Sequence, residues 1–326
     1  MTQAMRSVLH LGLFATAAAL SPGCSDDGGD HPRTLVQVAA FDATQGQLAE
    51  GLAIRGDAAY VGFGPLGKVV KVELSGGAVS EFAATPPIPI DGANSAGFLL
   101  GLAFDRAGNL YGAVASFDAS FAGGIYKWSA AGGAVAGPWA TSAAFGFPNG
   151  LAFDAAGTLF VADSSGKILA VDPATAAVTE WSADPLLAGA KSNCANAVSQ
   201  FDIGANGIVI DGSTVYVANS NQATIVEIPI RSDGSAGDAR MLAGPDCEAL
   251  GGIDGIALSG GQLLAALNNL DTLSAIATSD GAIEQIASGA PLQSPASVSF
   301  GGPNEYLYVT NAAFKPEQQP GLFALE

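Results

Sequence analysis

Apolar positions come in short runs punctuated by glycine and small polar side chains, and they fall into a phrase that returns six times. The clearest copies are Pro148-Asn-Gly-Leu-Ala-Phe-Asp154 followed by Thr158-Leu-Phe-Val-Ala-Asp163, and Ala205-Asn-Gly-Ile-Val-Ile-Asp211 followed by Thr214-Val-Tyr-Val-Ala-Asn219. Weaker copies pair Glu50–Ile54 with Ala59–Gly62, Leu100–Asp105 with Asn109–Gly112, Asp254–Leu258 with Leu263–Ala266, and Ala296–Phe300 with Tyr306–Asn311. The aligned positions Gly51, Gly101, Gly150, Gly207, Gly255 and Ser297 lie 50, 49, 57, 48 and 42 residues apart. No 3.6-residue apolar period appears, so the runs read as strands and a helical repeat is excluded. Each unit continues with a third strand, such as Lys167–Val171, and a fourth, such as Ala177–Trp181. Four short strands per period of this length describe a propeller blade.

The expected fold is therefore all-β, a six-bladed β-propeller of four-stranded blades spanning residues 34–326. The sixth unit ends on its third strand, Gly321–Leu325, and the segment Thr34–Ala39 supplies the missing fourth. That pairing closes the ring and hides a sheet edge. Asp105–Gly108 and Asp154–Gly157 read as hairpin turns. Asp163, Asn219, Asn268 and Asn311 read as polar caps at the ends of second strands. Trp128, Trp139 and Trp181 fall on strands and are expected to pack between blades.

Composition agrees with strands and tight turns: of 326 residues 43 are glycine, and only 13% are charged. Mean hydropathy is positive, yet beyond residue 22 no stretch of about 20 residues lacks turn residues or charges, so none would span a bilayer. A net charge of −18 argues against nucleic acid as a partner, since phosphate recognition needs clustered Lys and Arg. The charge fits an extracytoplasmic protein or one that attracts cations, although Asp in surface turns also accounts for it.

The N-terminus has Arg6, an apolar run from Val8 to Leu20, and then Ser21-Pro-Gly-Cys24. A basic residue, a short apolar run and small residues describe a secretory signal over residues 1–23. Leu20-Ser-Pro-Gly-Cys24 resembles the bacterial lipobox, which implies a lipidated Cys24 and a flexible tether over residues 24–33. Localisation is then periplasmic or at the cell surface, with membrane contact through the lipid only. Plain secretion with an incidental Cys24 is the other reading. The remaining pair, Cys194 and Cys247, suits a disulfide in an exported domain. Cys194 lies 12 residues before Asn206 and Cys247 lies 7 before Asp254, so both sit in loops leading to adjacent blades. The bond would pin the inserted loop Asp184–Ala205 as a wall of the channel mouth.

One position departs from this structural pattern. The residue before the aligned glycine reads Glu50, Leu100, Asn149, Asn206, Asp254 and Ala296 around the ring. First strands line the central channel, so these residues converge on one mouth. Glu50, Asn149, Asn206 and Asp254 bring hard oxygens, which suit a divalent cation, Ca²⁺ best, with Mg²⁺, Mn²⁺ or Zn²⁺ as alternatives. The two histidines, His10 and His31, lie outside the domain, which excludes a histidine-based zinc site.

The ring resembles the senescence-marker-protein/gluconolactonase (regucalcin-like) superfamily, six-bladed propellers holding one divalent metal in the channel. In that family a Glu on the first blade, an Asn in a Pro-Asn-Gly phrase and an Asp in a Pro-Asp-Gly phrase bind the metal. Glu50 and Pro148-Asn-Gly150 match the first two. For the third, Asn206 stands where the family has Asp, and Asp254 sits one blade later. The family's sugar-binding phrase, of the form Asn-Asp-Gly…Asp-Pro-x-Gly-Arg, is missing; Asp91-Gly-Ala-Asn94 is the nearest polar loop. The short motifs are also similar to NHL-type and strictosidine-synthase-like propellers.

Two functions follow as expectations. One is a metal-dependent lactonase or esterase acting on a small molecule in the channel, with Asp254 or Glu50 as general base. No Gly-x-Ser-x-Gly motif appears, which argues against a serine nucleophile. The other is a monomeric, non-catalytic scaffold displayed at the surface to bind a ligand or protein.

Overall fold

A computed structural model describes residues 34–92, 94–189, 194, 202–315 and 317–326. The expected signal, Cys24 and the tether lie outside the described residues, as does most of the loop between Ala188 and Asp202. Among the described residues no helix is long and apolar enough to cross a membrane.

The repeat folds into six blades. The innermost strands are Ala49–Arg55, Gly97–Phe104, Pro148–Phe153, Ala205–Asp211, Ile253–Ser259 and Pro295–Gly301, for blades 1 to 6 in chain order. Blades 1, 3, 4 and 5 each add three antiparallel strands outward. In blade 6 the third strand, Gly321–Leu325, pairs with Leu35–Ala40, with Leu35 opposite Leu325 and Ala40 opposite Gly321. The expected closure by the N-terminal strand is thus observed.

Blade 2 differs from the expectation, with only three ladder strands. Its fourth segment is reduced to one bridge between Ile125 and Ala140. Pro138 in that segment has no N–H to donate. The preceding Gly133–Ala134 instead pairs in parallel with the outer strand of blade 1.

The core divides into six apolar clusters, one between each pair of neighbouring blades. Trp128 is fully buried between blades 1 and 2, and its indole N–H donates to Ala84 O at 3.0 Å. Trp139 and Trp181 meet Tyr111 and Phe160 edge-on, as expected of blade packing, although Trp139 lies outside the strands rather than on one. The hairpin turns also form as expected, with Gly108 N–H on Asp105 O and Gly157 N–H on Asp154 O.

The aligned glycines set the bore of the channel. A Cβ on Gly51, Gly101, Gly150 or Gly207 would lie 2.1, 2.4, 2.2 or 2.3 Å from the carbonyl oxygen of Leu100, Asn149, Asn206 or Asp254, which belongs to the next blade. Each glycine therefore lets the next blade's channel-lining residue pack against it. In all six blades the inner ladder slips register across these two positions, for example between Pro148 and Leu151. A bulge of this kind re-aims side chains, and here it spans the ring residues. Gly150→Ala must push the Asn206 backbone and should cost about 1–3 kcal/mol, as overpacking does. Gly137, with open space around its Cα, should accept alanine with little change. Chemical denaturation of the two variants checks this.

Candidate metal and ligand site at the channel mouth

Glu50, Asn149, Asn206 and Asp254 line a single cavity of about 490 Å³ at one end of the channel. Leu100 shares that lining, whereas Ala296 is buried at the blade junction. Further along the inner strands a second cavity is lined by aliphatic residues, Phe104, Phe300, two serines and several glycines, with no ionisable group. Of these two cavities, only the first is lined by ionisable side chains.

The donors are held by a second residue of their own blade, one position past the end of its second strand. Asn149 Nδ2 donates to Ser164 Oγ at 3.2 Å, and Asn206 Nδ2 to Ser220 Oγ at 2.9 Å. Ser164 Oγ donates onward to Ala205 O at 2.9 Å and Ser220 Oγ to Ile253 O, which stitches blades 3, 4 and 5 together. With its amide N–H committed, each asparagine keeps its oxygen as the end available to a ligand.

In blade 5 the equivalent residue is Asn268, whose Nδ2 faces Asp254 Oδ2 at 3.5 Å. This corrects the reading of Asn268 as a strand-end cap. The ladder places Leu267 opposite Ile253, so Leu267 takes the cap position and Asn268 falls in register with Ser164 and Ser220. The other caps are as expected: Asp163 accepts from Gly146 and Phe147 N–H, Asn219 donates to Leu186 and Ala188 O, and Asn311 donates to Pro291 O.

Blade 1 has no such holder. The position in register is Gly64, and the ring of Phe98 occupies the space its side chain would need, 2.0 Å from a Cβ there. Glu50 is 7% exposed, and its Oε2 has no hydrogen-bond partner among the described residues. A buried carboxylate oxygen without a donor is costly.

Burial, and then the nearby charge of Asp254, push the Glu50 carboxyl well above the usual carboxylate range. Asp254 faces the cavity and remains partly exposed. Burial still pushes it up, to about 7, against the lowering effect of the Asn206 and Asn268 amides. Two like-charged carboxylates enclosed together favour protonation or a cation. Among the described residues no three His, Cys, Asp or Glu side chains gather as a metal centre. The ring instead offers two carboxylates and two amides, an all-oxygen set of the kind Ca²⁺ takes.

The expected disulfide is present: Cys194 and Cys247 are bonded, with Cα atoms 5.4 Å apart. It joins the segments leading to blades 4 and 5. In the loop it was expected to pin, residues 190–193 and 195–201 lie outside the described residues, and Ile203 lines the cavity. Cys247→Ser should cost about 2–4 kcal/mol, measured by denaturation with and without reductant.

Residues 187–313 match the family model described as the SMP-30/Gluconolactonase/LRE-like region. That stretch is under half of the chain, and the match agrees with the family that the ring resembles. That stretch includes Asn206 and Asp254, while Glu50 and Asn149 precede it. Among solved structures, the calcium-binding protein regucalcin from Agrobacterium tumefaciens strain C58 aligns with a TM-score of 0.63 at 18% identity, covering 90% of this chain and 93% of that one. A luciferin-regenerating enzyme aligns at 0.60 and 16% identity, covering 90% and 95%. The PQQ-bound aldose sugar dehydrogenase from Streptomyces coelicolor aligns at 0.58 and 15% identity, covering 90% and 98%. At these identities the likeness is one of fold. No curated protein matches the chain.

Proposed function

We propose that the channel mouth holds a divalent cation, Ca²⁺ by preference, on Glu50, Asn149, Asn206 and Asp254, and that the domain hydrolyses a lactone or related ester bound above it. The observation that carries this reading is Glu50, buried beside a second carboxylate with an oxygen that none of the described residues satisfies. A cation would relieve the repulsion and fill that vacant bond together. The calcium-binding character of regucalcin, whose fold the chain shares, supports the choice of ion.

When bound, such a cation supplies Lewis acidity toward an ester carbonyl. The protein's own residues do the rest. Leu100 and the phenylalanines around the mouth limit water to the reacting end. Asp254, tuned toward neutrality, is placed to take a proton from attacking water as a general base. Water adds to the acyl carbon, the acyl–oxygen bond breaks, and the proton held by Asp254 passes to the departing alkoxide, which leaves an alcohol and a carboxylic acid that releases its own proton to solvent.

Chelation should remove hydrolysis of a lactone and ester panel, and Ca²⁺ should restore it. A domain that holds its cation yet turns over nothing in the panel would overturn the hydrolytic reading in favour of the binding scaffold, which the missing sugar-binding phrase favours. We further propose that Cys24 carries a lipid that anchors the domain outside the cytoplasm. Palmitate labelling that is lost in Cys24→Ser supports this, and an unlabelled parent protein overturns it.

A further inference from the structure

Aromatic rings cluster over one part of the cavity, where Glu50, Asn149 and Lys315 also reach the lining. Phe98 and Phe117 from blade 2, Phe147 leading into blade 3, and Phe314 from the loop after the second strand of blade 6 line one part of the mouth. Blades 4 and 5 face them with Asn206, Asp254, Asn268 and Asn269. The aromatic rings are organised in pairs: Phe117 stacks on Phe147 at 5.6 Å with planes 28° apart, and Phe98 meets Phe314 at 6.4 Å. Phe98 is seated by Gly64, which gives up its side chain to the ring. Phe117 and Phe314 are nonetheless 41% and 46% exposed, which is unusual for paired phenylalanines beside a pocket.

From this we infer that the mouth selects small esters or lactones with a planar apolar body, which lies on the phenylalanine arc with its carbonyl end toward blades 4 and 5. The inference deepens the reading of this mouth as the ligand site and does not depend on catalysis. Phenylalanine offers area and a π-face but no hydrogen-bonding group. A polyhydroxylated ring pressed on that arc would leave the hydroxyls that face the rings without partners. A flat apolar ring there loses nothing, and its single polar end meets the oxygen- and amide-rich side.

The test is a binding titration of the full domain, with and without Ca²⁺, using coumarin, a planar lactone that resists hydrolysis, and glucitol as the polyhydroxylated probe. Coumarin should bind, and glucitol should not bind at the same concentrations. The double variant Phe117→Ala/Phe314→Ala should weaken coumarin on the order of tenfold or more with an unchanged melting temperature, because both rings are half in solvent. If that variant is unstable, Phe117→Ser and Phe314→Ser tested singly decide the matter. Failure of coumarin to bind, equal binding of glucitol, or coumarin affinity indifferent to these rings would overturn the inference. If coumarin binds through the rings and no ester is turned over, the hydrolytic reading falls and this one stands.

Discussion

Asp254→Asn is expected to weaken Ca²⁺ binding on the order of a hundredfold or more, since oxygen sites are tuned over decades by their charge count. The change keeps volume and the possibility of a contact with Asn268, but it leaves Glu50 as the single charge in the ring. Glu50→Gln should act similarly. Glu248→Gln, an exposed carboxylate on the segment leading to blade 5, controls for loss of one negative charge from a chain at −18 and should change affinity less than about twofold. The same Asp254→Asn substitution should raise the melting temperature of the cation-free domain by a few degrees, roughly 3 °C or more. It removes the like charge that opposes ionisation of Glu50. Binding lost and stability gained by one substitution would be the mark of a site built for a cation, because functional sites store such conflicts. Calorimetry and thermal melting read the two effects separately.

The second large effect is a reversed pH dependence without cation. Unfolded Asp and Glu titrate near 4, whereas Asp254 in the fold titrates at about 7 and Glu50 is also raised. Between those values the folded state binds more protons than the unfolded one, so stability falls as pH rises. The cation-free domain should therefore melt roughly 3–6 °C higher at pH 5.5 than at pH 8. Further acidification should reverse the trend. Asp42, Asp105, Asp118, Asp172 and Asp233 are lowered, chiefly by hydrogen bonds from the turns they close, and their contribution is lost as pH falls through those lowered values. Saturating Ca²⁺ should flatten the upper limb, and Asp254→Asn should make it shallower without Ca²⁺, since burial alone still raises Glu50. A cation-free domain most stable at pH 8 would show that the two carboxylates are not in conflict.

The architecture was legible because one strand phrase repeats with a glycine at a fixed place, and the structure gives that glycine a reason in the approach of the next blade's carbonyl. The ring donors were legible for the same reason: they occupy the one position beside the glycine where polar residues interrupt an apolar strand. What supports them was harder to see. Ser164, Ser220 and Asn268 share a register that only strand pairing reveals, and counting fourteen or fifteen residues on from each donor would have found them. Counting from Glu50 would have reached Gly64, and with it the missing partner. The phenylalanine arc left no periodic signal, because Phe117, Phe147 and Phe314 come from loops of different length. Blade 2 lost its fourth strand to Pro138, whose effect on a ladder was readable in principle but was masked by the strength of the repeat.

The central claim is that Glu50 and Asp254 are kept together for a cation. Calorimetric titration of Ca²⁺ into the chelator-treated domain tests it most directly. The structure predicts one site per chain, with binding that strengthens from pH 5.5 to pH 8 as the two carboxyls give up their protons. A domain that binds none of Ca²⁺, Mg²⁺, Mn²⁺ or Zn²⁺ across that range, or binds Ca²⁺ equally well after Asp254→Asn, would contradict it.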